Sequence, residues 1–173
     1  MRFLPLLMTV FIDSLGFGLV YPIFSSLILT PEQSILPTET SVAIRGLLFG
    51  MLVSAFCVGQ FFGGPILGAL SDRLGRKKIL IASLWLAVIA YLLAGLGIVI
   101  HSIALLFVGR LLSGWGASNW SIAQSIIVDQ SSVEEKSKNF GLLGMAWGTG
   151  FVIGPFMGGK LSDPAINGGI GLS

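Results

Sequence analysis

The sequence predicts an all-α integral membrane protein, and three observations carry that prediction. Charged residues make up only 10% of the chain, against the roughly 25% of an ordinary soluble domain. Hydrophobic residues make up 54%. Long stretches, at 46–71, 79–109, 111–128 and 140–159, carry no charge at all. So few charged groups cannot cover one compact ball in water, so lipid must be the solvent. Glycine occurs 24 times, about twice its usual share, but with no three-residue period, which excludes collagen. A net charge of +2 gives no basic footprint for a run of phosphates, which excludes a nucleic-acid partner.

Each span needs about 20 apolar residues, which sets five helices at about 4–29, 46–70, 79–100, 103–128 and 140–161. The first holds a single charge, Asp13. It is longer than the roughly 7–15 apolar residues of a signal peptide and reads as a retained helix. The second is free of charge. The third and fourth share the stretch 79–128, interrupted only by Arg110 and too long for one crossing. His101 and Ser102, the polar pair near its middle, mark the hairpin. The fifth is rich in glycine. Basic loops stay on the cytoplasmic side, so an inside N-terminus is expected. Arg2, Arg73, Arg76, Lys77, Lys78, Lys136 and Lys138 then lie inside, with Arg45 and Lys160 left outside. The outer side takes a loop at 31–45, a hairpin at 101–102 and a tail at 162–173. Cys57, the only cysteine, falls inside the second span, so neither an intrachain disulfide nor a thiolate metal site is expected.

The run from Gly68 to Lys78, GALSDRLGRKK, joins spans two and three with very few residues. Gly75 can take a positive φ at no steric cost, and Gly68 is expected to let another helix come close. Asp72 suits a helix N-terminus, and the arginines suit carboxylates or helix C-termini. A positive-inside anchor needs basic residues but not this spacing of glycine, acid and arginine. The run resembles the loop signature of the major facilitator superfamily (glycine, x, leucine, x, aspartate, arginine, x, glycine, arginine, lysine) at every position. That resemblance implies a conformational latch, clamping inner helix ends when a transporter faces outward, with an acidic residue at the inner end of the fourth span. Asp129 stands at that place. The latch candidates are therefore Gly68, Asp72, Arg73, Gly75, Arg76, Lys77 and Asp129. A carboxylate at a helix C-terminus opposes the dipole, which favours a paired role for Asp129. The rest of 129–138, with Glu134, Glu135, Lys136 and Lys138, reads as a solvated inner loop.

Asp13 and Arg110 are ionisable groups within spans, and each costs roughly 2.5–3.5 kcal/mol at a helix centre. With a rise of about 1.5 Å per residue, both fall near the midplane of a core about 30 Å thick. Arg110 could instead snorkel to the outer interface, and Asp13 could be a protonated, hydrogen-bonded structural acid. At about 100° per residue, Asp13, Phe17, Val20 and Phe24 share one face. Arg110, Gly114, Ala117, Ser121 and Gln124 share a face of span four. Neither face would tolerate lipid, which implies a water-reachable cavity, with Phe17, Phe24, Ser121 and Gln124 as possible lining. Leu106 to Ala117, LFVGRLLSGWGA, resembles the superfamily's fourth-span motif, associated there with proton transfer; Ser113 stands where glutamine is common. Phe11 to Pro22, FIDSLGFGLVYP, is similar to the first span of the drug:proton antiporters, tetracycline exporters included. The resemblance thus implies a proton-coupling role for Asp13 and Arg110.

In span five, Gly144, Gly148, Gly150, Gly154, Gly158 and Gly159 occupy about half of the helix circumference, where small residues let two backbones touch. Pro155 cannot donate to residue 151 and should kink the helix or free that carbonyl. Gly150 to Gly159, GFVIGPFMGG, resembles the fifth-span signature of exporters within the superfamily, carried by Gly150, Gly154, Pro155, Gly158 and Gly159. In span two, Gly59, Gly63, Gly64 and Gly68 recur at the same spacing and read as packing.

These features together imply the N-terminal part of a proton-coupled efflux antiporter for small amphipathic or drug-like molecules, working by alternating access in the inner cell membrane. Its partners would be the substrate, protons and the bilayer, with no cofactor and no metal. A facilitator or symporter for sugars or other solutes, and a non-transporting fragment that binds partner helices, remain alternatives. Enzyme chemistry has no foothold, with one His, one Cys and no polar cluster near a span end. The resemblance covers the first five of twelve spans, in a six-helix half built as an inverted pair of three-helix units. A sixth helix and a C-terminal half are expected beyond Ser173, and the Gly-rich stretch 161–173 with Pro164 reads as the outer loop before them.

Overall fold

A backbone in lipid must satisfy its own hydrogen bonds, so apolar windows become helices. The computed structural model describes residues 3–31 and 34–162. Its helices are α1 (Leu4–Leu29), α2 (Val42–Leu74), α3 (Arg76–Val99), α4 (Ile103–Gly116), α5 (Asn119–Gln130) and α6 (Val133–Leu161). No strand occurs among the described residues. Four helices, α1, α2, α3 and α6, are long and apolar enough to cross a membrane. Arg2 and the tail from residue 163 lie outside the described residues.

Three expectations need correction. The fourth span is two helices rather than one, because the serines at its middle compete for backbone carbonyls. Ala117 N–H makes the last helical bond, to Ser113 O at 2.9 Å, and then Ser118 N–H bonds to Trp115 O at 3.2 Å and Ser121 N–H to Ser118 O at 3.3 Å, turns tighter than the α-helix. The hydroxyls of Ser113 and Ser121 donate to the carbonyls of Arg110 and Ser118, three residues back, at 2.9 Å each. Such local bonds bend or interrupt helices, and a window that counts only charge is blind to them. Second, α2 runs well past 46–70 at both ends. Ser41 caps its start, its Oγ accepting from Ile44 N–H, and Asp72 and Arg73 stay helical until Gly75. Third, 129–138 is mostly helix. Asp129 ends α5, and Ser132 caps α6 by accepting from Glu135 N–H at 3.3 Å, with Glu134 and Glu135 in the first turn, where the dipole favours acids.

The chain divides into two compact units, one from Met1–Phe49 with Ser131–Ser173 and the other from Gly50–Gln130. In the first, α1 lies against α6 through small residues. The stretch of α1 that holds the buried Ser14 and Gly18 meets Gly150, Gly154 and Gly158 of α6. A Cβ on Gly150 would strike Ser14 Oγ and the Phe11 carbonyl, and one on Gly158 would strike the Leu19 carbonyl. The two backbones are therefore in direct contact, the arrangement small-residue spacing permits in lipid. Pro155 lies against Gly18, and the Phe151 carbonyl that it leaves without a helical donor is directed at Gly18 as well. Gly144, Gly148 and Gly159 have open space around them among the described residues, so half of the glycine face makes the seam.

The second unit repeats the device twice. On α3 the buried residues Ser83, Ala87, Ala90 and Ala94 recur every three or four positions. Against them lie Gly109 and Gly116 of α4, where a Cβ would crowd Ala94 and the Ser83 carbonyl. On its other side α4 meets α2. Gly59 of α2 abuts the Leu111 carbonyl, and Gly114 of α4 abuts the Phe56 carbonyl. Gly64 and Gly68 have nothing within 4 Å of a Cβ position, so the close helix expected at Gly68 is not found among the described residues.

Candidate functional site

Three groups of residues stand out, and each is positioned by a local feature of the chain. The first is the α2–α3 junction. Gly75 is the single residue between the two helices and adopts φ 99°, a conformation that a side chain resists. The reversal brings Arg76, at the start of α3, back beside the end of α2. Its Nη1 lies 2.9 Å from Asp72 Oδ1 and also donates to Ser71 Oγ at 3.4 Å. Its Nε donates to Asp129 Oδ2 at 2.6 Å. One guanidinium thus ties the end of α2, the start of α3 and the end of α5. Asp129 gains the partner that its place against the α5 dipole demands. The group is partly open to water, with Arg76, Asp72 and Asp129 side chains 27%, 62% and 51% exposed. Ion pairs of that exposure contribute roughly 0.2–1 kcal/mol each, enough to bias a conformation and little enough to break. Arg73 and Lys77 are exposed, and among the described residues neither forms an ion pair.

The second group surrounds Arg110. This side chain is 2% exposed, and its guanidinium carbon lies 4.7 Å from the centroid of the Phe56 ring on α2. Cation–π contact strengthens when desolvated, so the face of Phe56 holds part of the charge. The close α2–α4 approach at Gly114 brings that ring within reach. Snorkelling is thereby excluded: Arg110 turns into the second unit. Ser121 and Gln124, farther along on α5, are half-buried.

The third group lies on α1 and α6. Asp13 is half-buried, one residue before Ser14, which is seated against Gly150. Phe17, one turn on, begins a row of rings that crosses to α6. It meets Tyr21 edge-on at 5.0 Å and stacks on Phe151 at 6.0 Å. Phe151 in turn stacks on Trp147 at 5.2 Å with the planes 7° apart. Phe151 and Trp147 remain 39% and 43% exposed, so the row presents aromatic surface. Phe24, by contrast, is 5% exposed and belongs to the packing of its unit.

Sequence comparison decides what these parts belong to. The family model described as Major Facilitator Superfamily matches residues 6–166. The chain belongs to this superfamily. Among its relatives, the class D tetracycline resistance protein of Salmonella ordonez is 36% identical over 88% of this chain and 36% of its own length. The class C tetracycline resistance protein of Escherichia coli is 35% identical over 92% and 37%. Multidrug resistance protein 2 of Bacillus subtilis is 32% identical over 95% and 38%. The chain thus spans little more than a third of the length of these relatives. Membership, with the four apolar helices, makes it a multi-pass membrane protein.

Within the superfamily framework, the structure brings together Asp72, Arg76 and Asp129 from the junction, and Gly150, Gly154, Pro155 and Gly158 from the α6 seam. Among the described residues it leaves Gly68, Arg73, Lys77 and Gly159 without such contacts. Sequence reading missed Tyr21, Trp147 and Phe151, although Trp147 and Phe151 lie one turn apart on α6. It also missed Arg45, counted only as a charge outside the span.

Proposed function

We propose that this chain is part of a proton-coupled efflux transporter for small amphipathic, drug-like molecules, working by alternating access, with its N-terminus on the cytoplasmic side of the inner cell membrane. The observation that carries the reading is the Arg76 node: a weak, partly hydrated ion-pair cluster tying three helix ends in a chain whose relatives are named for tetracycline and multidrug resistance. Asp13 is the group that gains and loses the proton, and Arg110 is a fixed charge in the other unit. The exposed rings of Trp147 and Phe151, continuous with Phe17, offer a flat apolar surface to a planar substrate. A transporter of this kind needs no cofactor and performs no covalent chemistry.

Cells producing the full-length protein are expected to accumulate less tetracycline, or less of a cationic dye, than cells without it, and a protonophore should remove the difference. Equal accumulation in both would reject efflux, and counterflow of labelled sugar without a gradient would favour a facilitator. For the node, Asp72→Asn is expected to lower efflux several-fold while the amount of protein in the membrane is unchanged, because each exposed pair adds only about 0.2–1 kcal/mol to stability. Wild-type efflux in that variant would reduce the junction to an anchor.

A further inference from the structure

Arg45 stands in the first turn of α2, where the helix dipole disfavours a cation, and is 1% exposed. Among the described residues it makes no ion pair. The partners it has among them are neutral oxygen atoms. Nη1 donates to the Ile28 carbonyl at 3.0 Å and to Ser34 Oγ at 2.6 Å. Nη2 donates to the Pro37 carbonyl at 2.8 Å, and Nε to the Thr40 carbonyl at 3.1 Å. Ile28 lies in the last turn of α1, whose carbonyls carry the negative end of that helix's dipole. Ser34, Pro37 and Thr40 are spread along the α1–α2 connection. The connection is also bound to α1 directly, Ile35 N–H donating to the Leu27 carbonyl at 3.2 Å.

We propose that Arg45 is a positioning residue that fastens the C-terminal end of α1, the connection and the head of α2 into one rigid corner, so that α1 and the head of α2 move together during transport. The four acceptors lie on separate parts of the chain, and a planar fork with five donors reaches them from one point. A lysine would supply three donors on a compact head and leave acceptors of this buried site unmet. If the corner loosened, α1 could tilt against α2 and carry Asp13 and Phe17 out of register. That consequence rests on the transport reading; the clamp itself does not.

The test uses spin labels at Met8 and Leu47, both exposed and neither a hydrogen-bond partner of Arg45, in full-length Cys57→Ser protein in nanodiscs. With Arg45 present, one narrow distance is expected, unmoved by acidic or alkaline buffer and by tetracycline. In Arg45→Gln and Arg45→Lys the distribution should roughly double in width, as local opening of a hydrogen-bonded corner would produce. Ser34→Ala, which removes one acceptor and is mild enough to fold, should give an intermediate width. A distance that shifts with buffer or tetracycline while Arg45 is present would overturn the proposal. So would a narrow distribution in Arg45→Gln, or a full return to the narrow one in Arg45→Lys. The narrow-to-broad pattern without any efflux by the wild type would support the clamp and reject the transport reading.

Discussion

Full-length protein carrying Asp13→Asn is expected to lose proton-driven efflux while keeping, or slightly raising, its thermal stability. Asparagine has nearly the shape of aspartate and keeps hydrogen-bonding capacity, but it can neither ionise nor carry an exchangeable acid proton. Asp13 lies ten residues into α1, half-buried, beside the seam at which Ser14 meets Gly150. A carboxylate near the centre of a span costs roughly 2.5–3.5 kcal/mol, so removing it relieves the membrane-embedded chain rather than burdening it. A purely structural acid would behave in the opposite way, with stability falling and transport per molecule preserved. The two readouts are efflux per molecule of protein in a proton gradient and the midpoint of thermal unfolding in detergent. Unchanged proton-driven efflux in the asparagine variant would end the coupling role.

The two kinds of contact in this chain differ in strength, and the difference would suit the proposed transport cycle. The α1–α6 and α3–α4 seams are close backbone contacts, where a methyl group added at Gly150, Gly154, Gly158 or Gly109 would strike the facing helix. The Arg76 node is three partly hydrated side chains, whose pairs are worth roughly 0.2–1 kcal/mol each. A change of state that costs a few kcal/mol can open such a node and leave the seams intact. In the proposed cycle the node is the part that opens, and the seams keep each unit rigid.

How much of this was legible in the sequence follows from which physical signal each feature leaves. Helix existence was readable because apolar windows are long. Helix ends were less so, because charge was used to mark them. Arg45 is buried and Asp72 and Arg73 are helical, so α2 outruns its charge-free window at both ends. The break at Ala117 and Ser118 was illegible to hydropathy, since serine hydroxyls satisfy themselves on nearby carbonyls and leave little trace in an apolar average. Gly75 was readable because a one-residue reversal demands positive φ. The partnership of Arg76 with Asp129, 53 positions away, followed only from the family motif; spacing alone carries no such information. Arg45 did leave a signal: a lone cation in the first turn of an apolar helix opposes the dipole, and that conflict calls for acceptors. The aromatic row crosses from α1 to α6, so it needed the seam before its rings could be brought together.

Replacing Gly154 with leucine is expected to give a large loss of stability in the α1–α6 pair. A Cβ at that position would lie 2.5 Å from the Leu15 carbonyl oxygen, 2.9 Å from Leu19 N and 3.0 Å from Gly18 Cα. All three are backbone atoms, which no rotamer change can move aside. The helices would have to separate along their whole contact, lifting Gly150 from Ser14 and Gly158 from Leu19 as well. Overpacking usually costs about 1–3 kcal/mol, and a rigid backbone obstacle places this case at or above the top of that range. Gly148→Ala is the control. It lies on the same helix, six residues nearer the N-terminus, with open space around it among the described residues; alanine there should gain up to about 1 kcal/mol from helix propensity. Thermal unfolding of both variants in detergent decides the matter. If Gly154→Leu melts with Gly148→Ala, the seam is not the closed contact described above; if it alone falls, α6 owes its place against α1 to the missing side chain.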